Sequence, residues 1–328
     1  MTLYKKRYQS TMFFLQSILA VTTILHLLLS LLSPVEAFAV NQNNKHHVIL
    51  GTGALEVQLI TAKLALQLGH TCSLIGPTDS KYVTKCMKLM YGQDVGKSNL
   101  DKKNTNNNEV ADNDDKEREN EKDQQPEFVS DGDSIGQALE KANDIIIVCE
   151  EKGIDDKYIK PLLDGVSPTI INHVAVLSRH GGKLKSMEDS IANQCQKSGI
   201  AYSILRAGSL IGGGSGRSLE NGEKEWGLSK YFYDTNYDLS DAMSTMFRDK
   251  FIMGAKITSG DPFKSPNFFS KIMSNNALEP REGDTGRSAA ASALLAAVRS
   301  EDGVDVSIST EKGERPPSFE EWDILLQS

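Results

Sequence analysis

Two periodicities alternate along much of this 328-residue chain: short unbroken apolar runs, and longer stretches in which apolar residues return every three or four positions. The first run, His47-Val48-Ile49-Leu50, ends in Gly51-Thr52-Gly53-Ala54 and predicts a strand followed by a glycine turn. Leu55, Leu59, Ala62 and Leu66 then share a helical stripe that stops at Gly69, so a helix is expected over 55–68. Thr71 to Ile75 predicts a second strand. The alternation resumes with a helix over 135–141, a continuously apolar strand over 144–149, a helix over 156–163, a strand over 169–177, a helix over 187–197 and a strand over 201–206. A helix over 289–298 and a strand over 304–309 follow, and Ser318 with Glu321 three residues on is a capping-box start for a last helix. Strands alternating with helices imply an α/β fold, a doubly wound parallel sheet of Rossmann-like type covered on both faces, with the run 144–149 in a central position.

Three stretches break the rhythm. Lys5, Lys6 and Arg7 precede a nearly uncharged run from Met12 to Pro34, and Val35 and Ala37 suit a cleavage site after Ala37, so residues 1–37 are expected to be a signal peptide. An uncleaved anchor is the alternative, because about 22 residues at a 1.5 Å rise span a bilayer core of roughly 30 Å. Residues 38–46 then form a short transit or linker segment, and 47–328 the globular domain. Residues 93–126 carry ten acidic and six basic side chains, a run of Asn and no aromatic residue. Such a segment buries too little apolar area to offset its ordering entropy and is expected to be a disordered surface insert. Gly212-Gly213-Gly214-Ser215-Gly216 opens a stretch rich in Tyr, Phe and Met, expected as a hinge and C-terminal lid region over 212–280, covering the strand ends or an oligomer interface.

Charge narrows the partners. With 36 Lys and Arg against 44 Asp and Glu the chain carries −8, and loss of residues 1–37 takes it to −10, so nucleic-acid binding is not expected. No membrane span is expected in the mature chain. Cys72, Cys86, Cys149 and Cys195 form no C-x-x-C and the six histidines no H-E-x-x-H, which leaves no zinc or disulfide framework. Cys149 and Cys195 fit small buried hydrophobes. None of the eighteen Asn lies in an Asn-x-Ser/Thr acceptor site, which argues against secretion.

In a doubly wound sheet a dinucleotide's diphosphate meets the first βα turn, and Gly51-Thr52-Gly53 is in that place. The third position of G-x-G-x-x-G is Glu56, a carboxylate close to where the diphosphate would lie. After the second strand come Gly76-Pro77-Thr78-Asp79-Ser80-Lys81: Asp79 would hold ribose hydroxyls and Lys81 a 2′-phosphate, both several residues beyond the usual position, so NAD and NADP both stay open. Glu150-Glu151 follow the 144–149 strand, where two carboxylates could act as a general-base pair, and are expected to be structural or solvent-facing.

The chain resembles the atypical, NmrA-like branch of the short-chain dehydrogenase/reductase superfamily. The likeness rests on Val48 to Gly53, Gly69-His70, Ala138-Leu139, Ala142-Asn143-Asp144-Ile145-Ile146, Val174 to Ser178, and above all Ser198-Gly199-Ile200-Ala201-Tyr202-Ser203-Ile204-Leu205-Arg206-Ala207-Gly208, with a weaker echo at Thr285-Gly286-Arg287. The resemblance implies NAD or NADP binding through Gly51, Thr52, Gly53, Ala54, Leu55, Cys149, Ala207 and Gly208, and a catalytic position at Ser178, where a hydroxyl would orient a substrate carbonyl. The family's proton donor is a Tyr four residues before a Lys. No Tyr-x-x-x-Lys occurs in this chain; Lys183, Lys185 and His180 are the ionisable groups nearest the expected helix, and Ala207 replaces a usual Pro. The resemblance therefore implies a dinucleotide-binding protein without the usual Tyr-Lys chemistry. The alternatives are an oxidoreductase acting on a small carbonyl substrate, or a plastid assembly or scaffold factor that has lost the nucleotide and has a protein partner. Glu36-Ala37-Phe38-Ala39 resembles the alanine-phenylalanine cleavage motif of diatom plastid presequences, which implies delivery to the plastid; the secretory pathway is the alternative.

Overall fold

The computed structural model describes residues 45–92, 125–150, 152–155, 159, 162–163, 170–213, 227–262 and 283–327. The expected signal peptide lies outside the described residues, as do nearly all of the linker and the 93–126 insert. So do most of the helix expected over 156–163 and, within the lid region, 214–226 and 263–280. Among the described residues no helix is long and apolar enough to cross a membrane.

Eight strands build the main sheet: β1 (His46–Thr52), β2 (Thr71–Ile75), β3 (Glu127–Val129), β4 (Asp144–Cys149), β5 (His173–Arg179), β6 (Ala201–Ala207), β8 (Gly254–Ser259) and β10 (Asp305–Glu311). Their spatial order is β3-β2-β1-β4-β5-β6-β10-β8. All neighbours are parallel except β8, which runs antiparallel along β10. The doubly wound α/β expectation is met, and Asp144–Cys149 is central and wholly buried. A two-stranded parallel ribbon, β7 (Leu210–Ile211) with β9 (Thr285–Gly286), stands beside the sheet.

Strand alternation sends side chains to two apolar layers. Ile49, Leu74, Ile146, Val148, Ala175, Leu177 and Leu205 pack under α1 (Leu55–Gln67), α2 (Ser80–Tyr91) and α7 (Arg287–Ala297). Val48, Leu50, Ile145, Ile147, Val174 and Val176 pack under α3 (Gly132–Lys141) and α4 (Lys185–Ser198). The last helix, α8 (Phe319–Gln327), starts with the expected capping box: Ser318 N–H donates to Glu321 Oε2 at 2.7 Å and Glu321 N–H to Ser318 Oγ at 3.3 Å. It buries Trp322 on α7, where Nε1 donates to Ser292 Oγ at 3.1 Å.

The lid region departs from the expectation where it is described. Its β8 is the edge strand of the main sheet. Its α5 (Lys230–Asn236) docks on α1 and α2 rather than standing free: Phe232 and Tyr233 enter the first apolar layer, Lys63 Nζ donates to the Gly227 carbonyl at 3.0 Å, and Ser229 N–H donates to the Leu89 carbonyl at 2.7 Å. The helix that follows, α6 (Leu239–Asp249), ends on a buried carboxylate, Asp249, which accepts from Gly213 N–H at 2.9 Å and Tyr233 Oη at 3.0 Å. The glycine run is thus tied down at its start.

The foot of the sheet holds a histidine chain. Buried His47 lies between Asp144 and His70, with Nδ1 3.2 Å from Asp144 Oδ2 and Nε2 2.8 Å from His70 Nδ1. Burial, helped by neighbouring His47, brings His70 down to about 4, and burial also lowers His46, His173 and His180. In the window from the unfolded value near 6.5 down to about 4 the unfolded chain binds more protons than the native one, so stability rises with pH there. Urea unfolding is expected to give a lower stability at pH 5 than at pH 7, and His70→Asn a shallower dependence. A stability flat between the two pH values would contradict the assignment.

Candidate functional site

The sheet order reverses between β1 and β4: β1 leads through α1 to β2 on one side, while β4 lies on the other. Ligands of open α/β sheets occupy the crevice outside the strand ends at such a switch point. The two strands approach so closely here that a Cβ on Gly51 would lie 1.9 Å from the Val148 carbonyl oxygen. Gly51 is required by strand packing before any ligand is considered. Gly53 has φ +102°, and Ala54 follows at φ 45° and ψ 45° as the N-cap of α1. Ala54 is the one non-glycine residue with positive φ among the described residues. A left-handed Ala costs about 1–2 kcal/mol and persists only where its surroundings impose it.

The turn is pinned from behind. Gln58 Nε2 donates to the Gly53 carbonyl at 2.8 Å, and Val57 and Gln58 N–H both converge on the Ala54 carbonyl, at 2.9 and 3.2 Å. No side chain caps α1, so the N–H groups at its start and the positive end of its dipole are offered to the crevice. Leu55 is half-buried against the apolar layer and Glu56 is half-buried on the first turn. Thr52 Oγ1 donates to the Lys152 carbonyl and lies 3.5 Å from Cys149 Sγ. Cys149 itself is buried, and burial raises its thiol pKa, which leaves it unreactive.

Other expected residues are placed differently. Ala207 is buried in the first apolar layer. Gly208 donates its N–H to Thr285 Oγ1 at 3.0 Å, Thr285 donates onward to the Ile308 carbonyl at 2.6 Å, and a Cβ on Gly208 would lie 1.7 Å from the Gly283 carbonyl oxygen. These two residues join β6 to β9 and β10. At the end of β2, Asp79 is the N-cap of α2 and accepts from Lys81 and Tyr82 N–H at 3.2 and 3.0 Å, whereas the Lys81 side chain is exposed. Thr78 and Ser130 hydroxyls meet beside it at 3.0 Å.

Ser178 requires a correction. It has the same parity as Val174 and Val176, so it points under α4 rather than into the crevice, and it is completely buried. Its hydroxyl donates to Glu188 Oε1 at 2.6 Å. Glu188, also fully buried, accepts from Arg206 at 2.7–3.2 Å, and Arg206 reaches on to Asp305. The hydroxyl is committed to a buried ion-pair network that sutures α4, β5, β6 and β10. Of the ionisable groups expected nearby, His180 bonds the Arg206 carbonyl at 2.9 Å and burial lowers its pKa, while Lys185 pairs with Asp189 at 3.1 Å. Sequence reasoning missed Glu188 and Arg206 as a pair. Parity along β6, which sets Ile204 and Leu205 on opposite faces, is the signal that would have turned Arg206 inward toward α4.

Glu150 is half-buried beside the turn. Its side chain lies against Gly53, and Oε1 is 3.7 Å from an Arg179 guanidinium nitrogen at the tip of β5. Among the described residues no group of three His, Cys, Asp or Glu side chains is arranged to hold a metal ion.

The strand order and switch point define the class, a Rossmann-like α/β fold. No family model matches the chain, and no curated protein matches it. Solved structures with a similar course include UDP-N-acetylglucosamine 4-epimerase from Bacillus cereus, at 9% identity over 85% of this chain and 82% of that one with a TM-score of 0.39. They also include the anaerobillin reductase ChuY of Escherichia coli O157:H7, at 15% identity over 55% and 82% with 0.31. A third is the leucoanthocyanidin reductase–NADPH binary complex from Vitis vinifera, at 11% over 51% of each chain with 0.31.

The network fixes a contrast between two variants. Arg206→Met leaves Glu188 buried without its partner and is expected to destabilise by about 3–5 kcal/mol in chemical denaturation. Ser178→Ala removes one hydrogen bond to a charge and is expected to cost about 1.5–3 kcal/mol in the same measurement. Ser178→Ala as stable as wild type would contradict the bond to Glu188.

Proposed function

We propose that this chain binds a nicotinamide dinucleotide across the β1/β4 switch point, as a protein of the atypical short-chain dehydrogenase/reductase type that works without the Tyr-Lys proton relay. One observation carries the reading: the uncapped N-terminus of α1, held open by left-handed Ala54, at the point where the sheet order reverses. NADP(H) is the favoured form. Asp79 is spent on capping α2, the residue directly after β2 is Gly76, and Lys81 stands exposed beside the helix start where a 2′-phosphate would lie. The absence of Tyr from α4 supports a binding or sensing role, and the N-terminal 37 residues support delivery to the plastid.

A second role, as part of a protein assembly, is favoured by Met243, Phe247 and Phe251. They recur every four residues along α6 and just beyond it and are 59, 65 and 44% exposed. Sedimentation is expected to show association that the Phe247→Ser/Phe251→Ser double variant loses; a wild-type monomer at all concentrations contradicts it.

Thermal unfolding with NAD, NADH, NADP and NADPH tests the cofactor reading. A ligand at 100 times its Kd stabilises by about 2.7 kcal/mol, which at roughly 2–4 °C per kcal/mol is a shift of about 5–10 °C. NADPH is expected to give the largest shift, and Gly53→Asp to abolish it. Lys81→Ala is expected to weaken NADPH about tenfold and NADH not at all, as loss of one hydrogen bond to a charged group requires. No shift with any of the four would overturn the reading.

A further inference from the structure

Cofactor binding at the glycine turn leaves Glu150 and Arg179 without a role, although both stand at the crevice. An ideal Cβ on Gly53 would lie 3.3 Å from Glu150 Cβ and 3.8 Å from Glu150 Oε2. The face that Gly53 bares for a close-approaching ligand is therefore filled by the side chain of Glu150. Its carboxylate stands beside the turn where the positive end of α1 favours an anion. The segment after β4 is also folded over the end of β1, because Thr52 Oγ1 holds the Lys152 carbonyl. Arg179 is the only counter-charge paired with Glu150 among the described residues, and the pair is loose: 3.7 Å apart, with the side chains 19 and 31% exposed. Ion pairs of that exposure contribute little and yield readily to a better-matched anion.

Resting on the cofactor reading, we propose that Glu150 and Arg179 form the latch that determines which anions enter the crevice. Glu150 occupies the place of the diphosphate at the glycine turn. A ligand enters by displacing it, and Arg179, released from Glu150, pairs with a phosphate oxygen of the incoming diphosphate. Two anions do not share this turn, so a ligand must bring enough negative charge to win the α1 N-terminus and Arg179 together. A dinucleotide diphosphate does so; a nucleoside without phosphate does not. Glu150 is a specificity-determining residue here, and no proton or electron transfer is asked of it.

The test is fluorescence titration of the full chain with NADPH and, separately, with adenosine. Glu150→Gln keeps the side-chain volume at a partly exposed position and removes only the charge, so folding is not at issue. It is expected to tighten NADPH at least tenfold, about 1.4 kcal/mol, and to admit adenosine, which wild type excludes. Arg179→Gln is expected to weaken NADPH about tenfold. Wild-type binding with an unchanged or weaker Glu150→Gln overturns the latch while sparing the cofactor reading, and a weaker one would make Glu150 a partner of the ligand's hydroxyls. Arg179→Gln binding as tightly as wild type overturns the phosphate role of Arg179. NADPH bound by neither wild type nor Glu150→Gln overturns the cofactor reading, and the latch with it.

Discussion

The close seam between β1 and β4 governs the rest of the site. Because the Val148 carbonyl oxygen sits 1.9 Å from where a Cβ would project, position 51 accepts only glycine without displacing the centre of the sheet. The chain leaving that seam must turn at once to reach α1, through Gly53 at positive φ and then Ala54 in the left-handed region. That sequence of constraints lifts the N-terminus of α1 clear of any side-chain cap and aims it at the crevice. The local strain is held by buried surroundings: Val57, Leu59 and Ile60 anchor α1 in the apolar layer, and Gln58 ties back to Gly53.

Two buried polar clusters tie elements of the sheet together. Under α4, Glu188, Arg206 and Ser178 are satisfied by one another, with Asp305 completing the network at the surface. At the foot of the sheet buried His47 hydrogen-bonds His70 and lies 3.2 Å from Asp144, whose carboxylate oxygens have no hydrogen-bond partner among the described residues. Buried ionic groups of this kind add little net stability over an apolar core of the same shape, but each makes removal of a partner costly. The Glu188–Arg206–Asp305 network links α4, β6 and β10.

Much of the fold was legible in the sequence because its signals are local. The Gly51-Thr52-Gly53 turn, the apolar run 144–149 and the Ser318/Glu321 capping box each carry their geometry in adjacent residues, and the observed elements match them within a few positions. What was not legible depends on partners distant in the chain. The helix over 80–91 escaped because Asp79 reads equally as a cofactor contact and as an N-cap, and only the structure shows its oxygen taken by Lys81 and Tyr82. The strand over 254–259 escaped because its register is set by β10, about 50 residues downstream. Ser178 sat where a resemblance places a catalytic hydroxyl, yet its parity on β5 sends it to Glu188. The place of Glu150 was not legible because nothing in the sequence sets it against Gly53, 97 positions away.

The central claim is that the turn after β1 and the start of α1 receive the dinucleotide. Hydrogen–deuterium exchange with and without saturating NADPH tests it most directly, since it reads individual backbone N–H groups. The account predicts slowed exchange over 53–57 and around 79–82, with the amides under α4 unaltered. Unchanged exchange at 53–57 under saturating ligand would contradict it.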